Sequence, residues 1–185
     1  YEMYRRYGDA RILSENYEMM KKWYVFLEER AKKRPVNPVK RFKRNPYRRY
    51  TIETGVDYGE WCEPDVESTS AMRTPQGKVA TAFFAYSGRM LAEIAAILGK
   101  EDDAAYYSKT AEMAKKAWRF IATEDGKISS DRQADYVRAL AFGLLDGDEA
   151  RQAAADLNEL VKKCGYHLNT GFLSTPNLTR VLCDY

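Results

Sequence analysis

The sequence predicts an all-α fold made of antiparallel helical hairpins. Apolar residues recur at helical spacing in six blocks. Strand-like alternation is nearly absent. Short links at Gly99, Asp125-Gly126 and Asp146-Gly147 join the second block to the fifth, and links that short make neighbouring helices run antiparallel.

The first helix is expected over about residues 9–33, where Leu13, Tyr17, Met20, Tyr24 and Leu27 recur at alternating steps of four and three. Pro35 and Pro38 end it, because the residue before a proline is driven out of the helical region. The second covers about 77–98, through Phe83, Ser87, Met90, Ile94 and Leu98, and Gly99 supplies its stop. In the third, Ala104, Tyr107, Ala111, Ala114, Trp118 and Ile121 share one face, closed off by Asp125-Gly126. Asp131 reads as the N-cap of a fourth helix bearing Val137, Leu140, Ala141 and Leu144. Asp146-Gly147 turns the chain into a fifth, through Ala150, Ala153, Leu157, Leu160 and Cys164, ended by Gly165. The sixth opens with Thr175 as cap and Pro176 in first position. Arg49 to Val56 holds one short extended piece at most. The alanine-rich faces imply closely packed helix contacts.

At 185 residues and 45% apolar, the chain can bury one sizeable core, and it holds no stretch apolar enough to cross a bilayer. Cys62, Cys164 and Cys183 are an odd number at unrelated spacings and read as free thiols, the latter two on apolar helical faces. The sequence opens at Tyr1 without Met and is expected to be a segment of a longer protein, so the lack of a leader says nothing of compartment. Net charge is +3, yet nine Lys and Arg fall between Lys32 and Arg49 with no acid among them. Taking +9 from +3 leaves −6 for the remainder. That segment, about residues 34–54, reads as a basic insertion. Its interleaved Phe42, Tyr47 and Tyr50 suit single-stranded nucleic acid, but three prolines and an acidic remainder argue against a nucleic-acid partner.

Two links are too rich for plain connections. The longer, about 34–76, contains Gly55-Val56-Asp57-Tyr58-Gly59-Glu60-Trp61-Cys62-Glu63-Pro64. A sugar site needs flat aromatic faces for the apolar side of a pyranose and carboxylates for its hydroxyls. This loop has both: Trp61 as platform, with Asp57, Glu60 and Glu63 as acceptors. The competing reading packs Trp61 beneath the loop and leaves the acids solvated. The shorter link, 165–174, carries the chain's one histidine, His167, with Thr170 and Ser174. His167 reads as a loop brace or core histidine rather than a catalyst, and without Cys or acid partners in register it is no metal ligand. Glycine patterns for nucleotides and the serine-hydrolase elbow are absent, and no cofactor is expected.

Several stretches, in order along nearly the whole chain, resemble the α-L-rhamnosidases of glycoside hydrolase family 78. They are Tyr7-Gly8-Asp9-Ala10-Arg11-Ile12-Leu13 leading to Met20 and Trp23, then Tyr58-Gly59-Glu60-Trp61, then Val79 to Ser87. Leu98 to Ala104, Ala139 to Leu144 and His167 to Pro176 follow. The resemblance implies an (α/α)6 toroid of six hairpins, of which this chain would supply about half. It also implies inverting hydrolysis of terminal α-L-rhamnose from a rhamnose-containing glycoside. Trp61 stands where the family's pocket carries a tryptophan, and Glu60 and His167 are implied substrate-side residues. The family's acid motif would precede Tyr1 and its base would follow Tyr185. No catalytic residue is therefore expected within the chain, which would be inactive without the remainder of its parent. Glu60 and Ser174 depart from the family's common Asp and Gly.

Two alternatives stay open. One is another six-hairpin glycosidase, acting on glucosides or mannosides. The other is a tetratricopeptide-like binding scaffold, though the turns at Gly99 and Gly147 lie 48 residues apart, against the 34 of that repeat.

Overall fold

A computed structural model describes residues 1–33, 45–64 and 76–185. Among them are seven α-helices: α1 Glu2–Tyr7, α2 Arg11–Lys32, α3 Gly77–Ile97, α4 Glu101–Ala122, α5 Gln133–Ala141, α6 Gly147–Lys163 and α7 Thr175–Asp184. The six predicted blocks are α2 to α7. The short α1 has no predicted counterpart; none of its residues is fully buried, though Tyr4 packs against the core, and it ends at Gly8, whose φ of 68° no other residue type adopts as cheaply.

Hydrophobic spacing accounts for the packing. Leu13, Tyr17, Tyr24 and Leu27 form the buried stripe of α2. Helices α3 and α4 lie along each other through small residues, Ala82, Ala85, Ala92 and Ala95 on one and Ala111, Ala114 and Ala117 on the other. Gly99, at φ 68°, reverses the chain between them, and the Lys100 N–H donates to the Ala95 carbonyl at 2.8 Å. Tyr24 of α2 reaches into this pair, tilted on Phe84 at 5.2 Å and edge-on to Tyr107 at 5.3 Å. Gly88 makes room for it, since a Cβ there would lie 2.3 Å from the Tyr24 hydroxyl. Trp118, Val137, Leu144 and Leu157 continue the same core toward α5 and α6.

Several local expectations change. Asp131 caps nothing. The Ser130 hydroxyl accepts from the Arg132 N–H at 3.2 Å and donates to Asp135 at 2.7 Å, and α5 begins at Gln133. At α7 the cap position belongs to Ser174 rather than Thr175, so Pro176 moves to the second helical position of the first turn. The Ser174 hydroxyl makes no cap bond because it is engaged with Glu60. No strand forms over 49–56. A 3-10 turn, Arg48–Tyr50, is followed by irregular chain. The small strands instead flank Asp125-Gly126: β1 Thr123–Glu124 pairs with β2 Lys127–Ile128 in antiparallel register.

Of the expected basic insertion, residues 34–44 lie outside the described residues. Residues 45–54 pack into the body. Thr51 and Ile52 are buried, and the Ile52 N–H donates to Thr81 Oγ1 at 3.0 Å. The three cysteines form no disulfide, but Cys183 is exposed and Cys164 only half-buried, because their helices turn those positions away from the core.

The segments entering α3, α5 and α7 meet at one end of the bundle. Lys78 at the start of α3 reaches the Ser129 carbonyl ahead of α5 at 3.4 Å. Gln133 at the start of α5 bonds the chain ahead of α7, accepting from the Asn169 N–H at 3.0 Å and donating to the His167 carbonyl at 3.3 Å.

Candidate functional site

At that end, the two loops singled out by composition dock on one another. The Phe172 N–H donates to the Trp61 carbonyl at 2.7 Å. Gly171 lies so close that a Cβ on it would fall 2.2 Å from the Glu60 carbonyl oxygen and 2.4 Å from that of Trp61. Glu60 joins the loops a second time. Its Oε1 accepts from the Ser174 N–H at 2.7 Å and its Oε2 from the Ser174 hydroxyl at 2.8 Å. Glu60 and Ser174, one from each loop, are thus bonded to each other twice.

Trp61 stands on the outside of this junction. Its ring is 5.0 Å from that of Tyr58 at an interplanar angle of 24°, a stacked pair with both members exposed. The indole is 43% exposed, so it is not packed beneath the loop. The backbone reaches this arrangement through left-handed residues, Gly59 at φ 61° and Cys62 at φ 64°, the latter unusual for a side chain with a Cβ. Phe172 and Leu168 are exposed on the partner loop. Aromatic faces with hydroxyl partners around them are what an amphipathic pyranose needs.

The three acids of the loop are neither solvated nor open. Asp57 takes both terminal nitrogens of Arg30, at 3.0 and 2.7 Å. Glu63, 6% exposed, is gripped by Arg132, whose Nε donates to Oε1 at 3.0 Å. Glu60, 4% exposed, is paired with Arg138. Arg138 in turn binds Asp135 through its other terminal nitrogen. With their oxygens engaged inside the protein, none of these carboxylates is presented as a proton donor or a base. In this structure Asp57, Glu60 and Glu63 hold the loop in place through these bonds.

His167 is exposed, and its contribution to the junction runs through its backbone carbonyl on Gln133. That agrees with a loop brace and not with a core histidine. Among the described residues no cluster of three or more His, Cys, Asp or Glu could hold a metal ion, and no helix is long and apolar enough to cross a membrane. A cleft of about 340 Å³ lies elsewhere, between α3, α4 and the turn after α5, lined by Arg89, Glu93, Ser108, Glu112 and Lys115 among others. It includes none of the loop residues.

Sequence reasoning missed the arginines. Arg30, Arg132 and Arg138 all lie outside the basic run that dominates the charge pattern. Arg138 had a legible signal. It is a lone charge among Val137, Ala139 and Leu140 in a helix otherwise suited to burial, and such a charge needs a buried partner.

Comparison with known proteins places these loops in context. A family model described as the bacterial alpha-L-rhamnosidase 6 hairpin glycosidase domain matches residues 1–185. An alpha-L-rhamnosidase of Formosa agariphila is 32% identical over 185 residues, covering 98% of this chain and 18% of that protein. One from Streptomyces avermitilis is 33% identical over 185 residues, covering 98% and 15%. The crystal structure of a Streptomyces avermitilis alpha-L-rhamnosidase complexed with L-rhamnose superposes with a TM-score of 0.76 at 30% identity, covering 98% of this chain and 15% of that one. The chain therefore spans less than a fifth of the length of these relatives.

Proposed function

This chain belongs to the bacterial α-L-rhamnosidase six-hairpin glycosidase family, and from that premise we propose that it is part of the catalytic toroid of an enzyme releasing terminal α-L-rhamnose from glycosides. The observation that carries the reading is the exposed Tyr58–Trp61 stack, held at the joined ends of three helices by two interlocked loops. Trp61 is the platform for the apolar face of the sugar, and covering that face excludes water from it. Glu60 fixes the loop beneath the platform, and the loop from His167 to Thr175 braces it from the side. No cofactor takes part. The scaffold alternative loses its ground with the family match over residues 1–185.

The reaction proceeds with inversion in this proposal. An acid protonates the leaving oxygen and a base activates water on the opposite face, the two carboxyls standing about 6.5–9.5 Å apart. The acids of the Trp61 loop are locked against arginines, which supports placing both catalytic carboxyls outside this chain. The segment alone then hydrolyses nothing.

In the full-length parent, Trp61→Ala is expected to lower kcat/KM on an aryl rhamnoside by at least tenfold while the helical signal in circular dichroism is unchanged. Unaltered kinetics would remove Trp61 from the site. Proton NMR of the first sugar released reads the stereochemistry. The anomer opposite to that of the substrate is expected, and the retained anomer would refute inversion.

A further inference from the structure

We infer that Arg138 is a positioning residue for the Trp61 platform, a single buried guanidinium that holds both loops in the sugar-binding arrangement. The inference rests on Trp61 being the platform proposed above. The Arg138 side chain is 2% exposed, so it touches no substrate. It acts through what it holds. One terminal nitrogen reaches Glu60, directly before Trp61 in the first loop, and lies 3.4 Å from the Ser174 hydroxyl at the end of the second. The other is bonded to Asp135 on its own helix, one turn away. The rigid α5 is thereby tied to two loops more than a hundred residues apart in sequence.

Charge balance makes the arrangement all-or-none. One guanidinium faces two carboxylates, Glu60 and Asp135, both buried. The excess negative charge is met by neutral donors: the Ser174 N–H and hydroxyl on Glu60, and the Ser130 hydroxyl on Asp135. The two Ser174 donors reach Glu60 only while the second loop is docked, whereas Ser130 serves Asp135 from the segment leading into α5. Lifting the second loop strips Glu60 of its Ser174 bonds, and lifting the first breaks the buried Arg138–Glu60 pair, either of which is costly in a protein interior. The two loops therefore hold one geometry together, and the ring of Trp61 is presented in one orientation. Arginine suits the task because its planar fork serves two acceptors at fixed angles, whereas lysine offers a point charge on a flexible stem.

The test is a double-mutant cycle in the full-length parent, with KM and kcat on an aryl rhamnoside read separately. Arg138→Lys is expected to raise KM about tenfold with kcat changing less than threefold. Added to Trp61→Ala it should cost nothing more, since a loosened platform that has already lost its ring has nothing left to lose. Ser174→Ala removes one tether without touching the guanidinium. It should give a smaller rise in KM with the same non-additivity, and it serves if Arg138→Lys does not fold. Effects of Arg138 or Ser174 variants that multiply fully with that of Trp61→Ala, or an unchanged KM in both, would overturn the role of Arg138 while leaving Trp61 in the site. A Trp61→Ala enzyme with wild-type kinetics would overturn both.

Discussion

Gly171 shows how a single residue decides whether the site exists. Its φ is unremarkable, so what it supplies is absence of bulk: a methyl group there would collide with two backbone carbonyls, which cannot swing aside as a side chain can. Gly171→Ala must therefore separate the loops and break the Phe172 to Trp61 hydrogen bond. In the parent enzyme kcat/KM on a rhamnoside is expected to fall on the order of a hundredfold, the scale of a displacement of about 1 Å at a reacting site. Wild-type activity in this variant would mean the loops need not touch. Glu60 teaches a related lesson. Its residue type and its place beside Trp61 both suggest a sugar acceptor. Only the fold shows that its oxygens face Ser174 and Arg138.

At the scale of elements, hydrophobic period locates helices well and their ends less well. Blocks α2, α3, α4 and α6 lie close to where the apolar spacing puts them, because burial of one stripe dominates their energetics. The starts of α5 and α7 differ from the spacing for separate reasons: Ser130, not Asp131, bonds into the first turn of α5, and Ser174 holds the cap position of α7 while its hydroxyl serves Glu60, 114 residues away. Both loops of the candidate site were legible as loops; that they dock was not, since no local pattern encodes a contact across more than a hundred residues. Packing in the core gives its own predictions. Gly88→Ala should destabilise by about 1–3 kcal/mol, since its methyl group meets the Tyr24 hydroxyl and the Ala111 Cβ. Leu157→Ala, at a fully buried position, should cost about 2–5 kcal/mol. Chemical denaturation reads both, and a neutral result in either would contradict the packing described.

The same interface predicts an alkaline limb of stability. Burial pushes Tyr107 up to about 12, and a hydrogen bond to Glu28 lifts Tyr106 to about 12. Burial raises Tyr17 and Tyr24 as well. Unfolded tyrosine ionises near its ordinary 10.0, so between that value and about 12 the folded chain holds more protons. Stability is then complete below 10.0 and falls as pH rises through this window. Tyr106 is half exposed and contributes least. Ultraviolet tyrosinate absorbance followed beside circular dichroism should show a late tyrosine fraction ionising together with helix loss. Complete ionisation of all tyrosines with the helices intact would contradict the buried placement.

For the whole molecule, an arc of helical hairpins gathers the segments entering α3, α5 and α7 at one end, and the aromatic stack crowns that end. At that end the described acids of the Trp61 loop, Asp57, Glu60 and Glu63, are each paired with an arginine. The purified 185-residue chain is accordingly expected to show no rhamnoside hydrolysis above the uncatalysed rate, whereas measurable turnover by it alone would place a catalytic acid and base inside the segment.

The most direct test of the platform is hydroxyl-radical footprinting of the full-length parent with and without L-rhamnose, read by mass spectrometry residue by residue. Sugar binding should protect Trp61 and leave the oxidation of Trp23, exposed on α2, unchanged. Equal oxidation of Trp61 with and without saturating L-rhamnose would contradict the account.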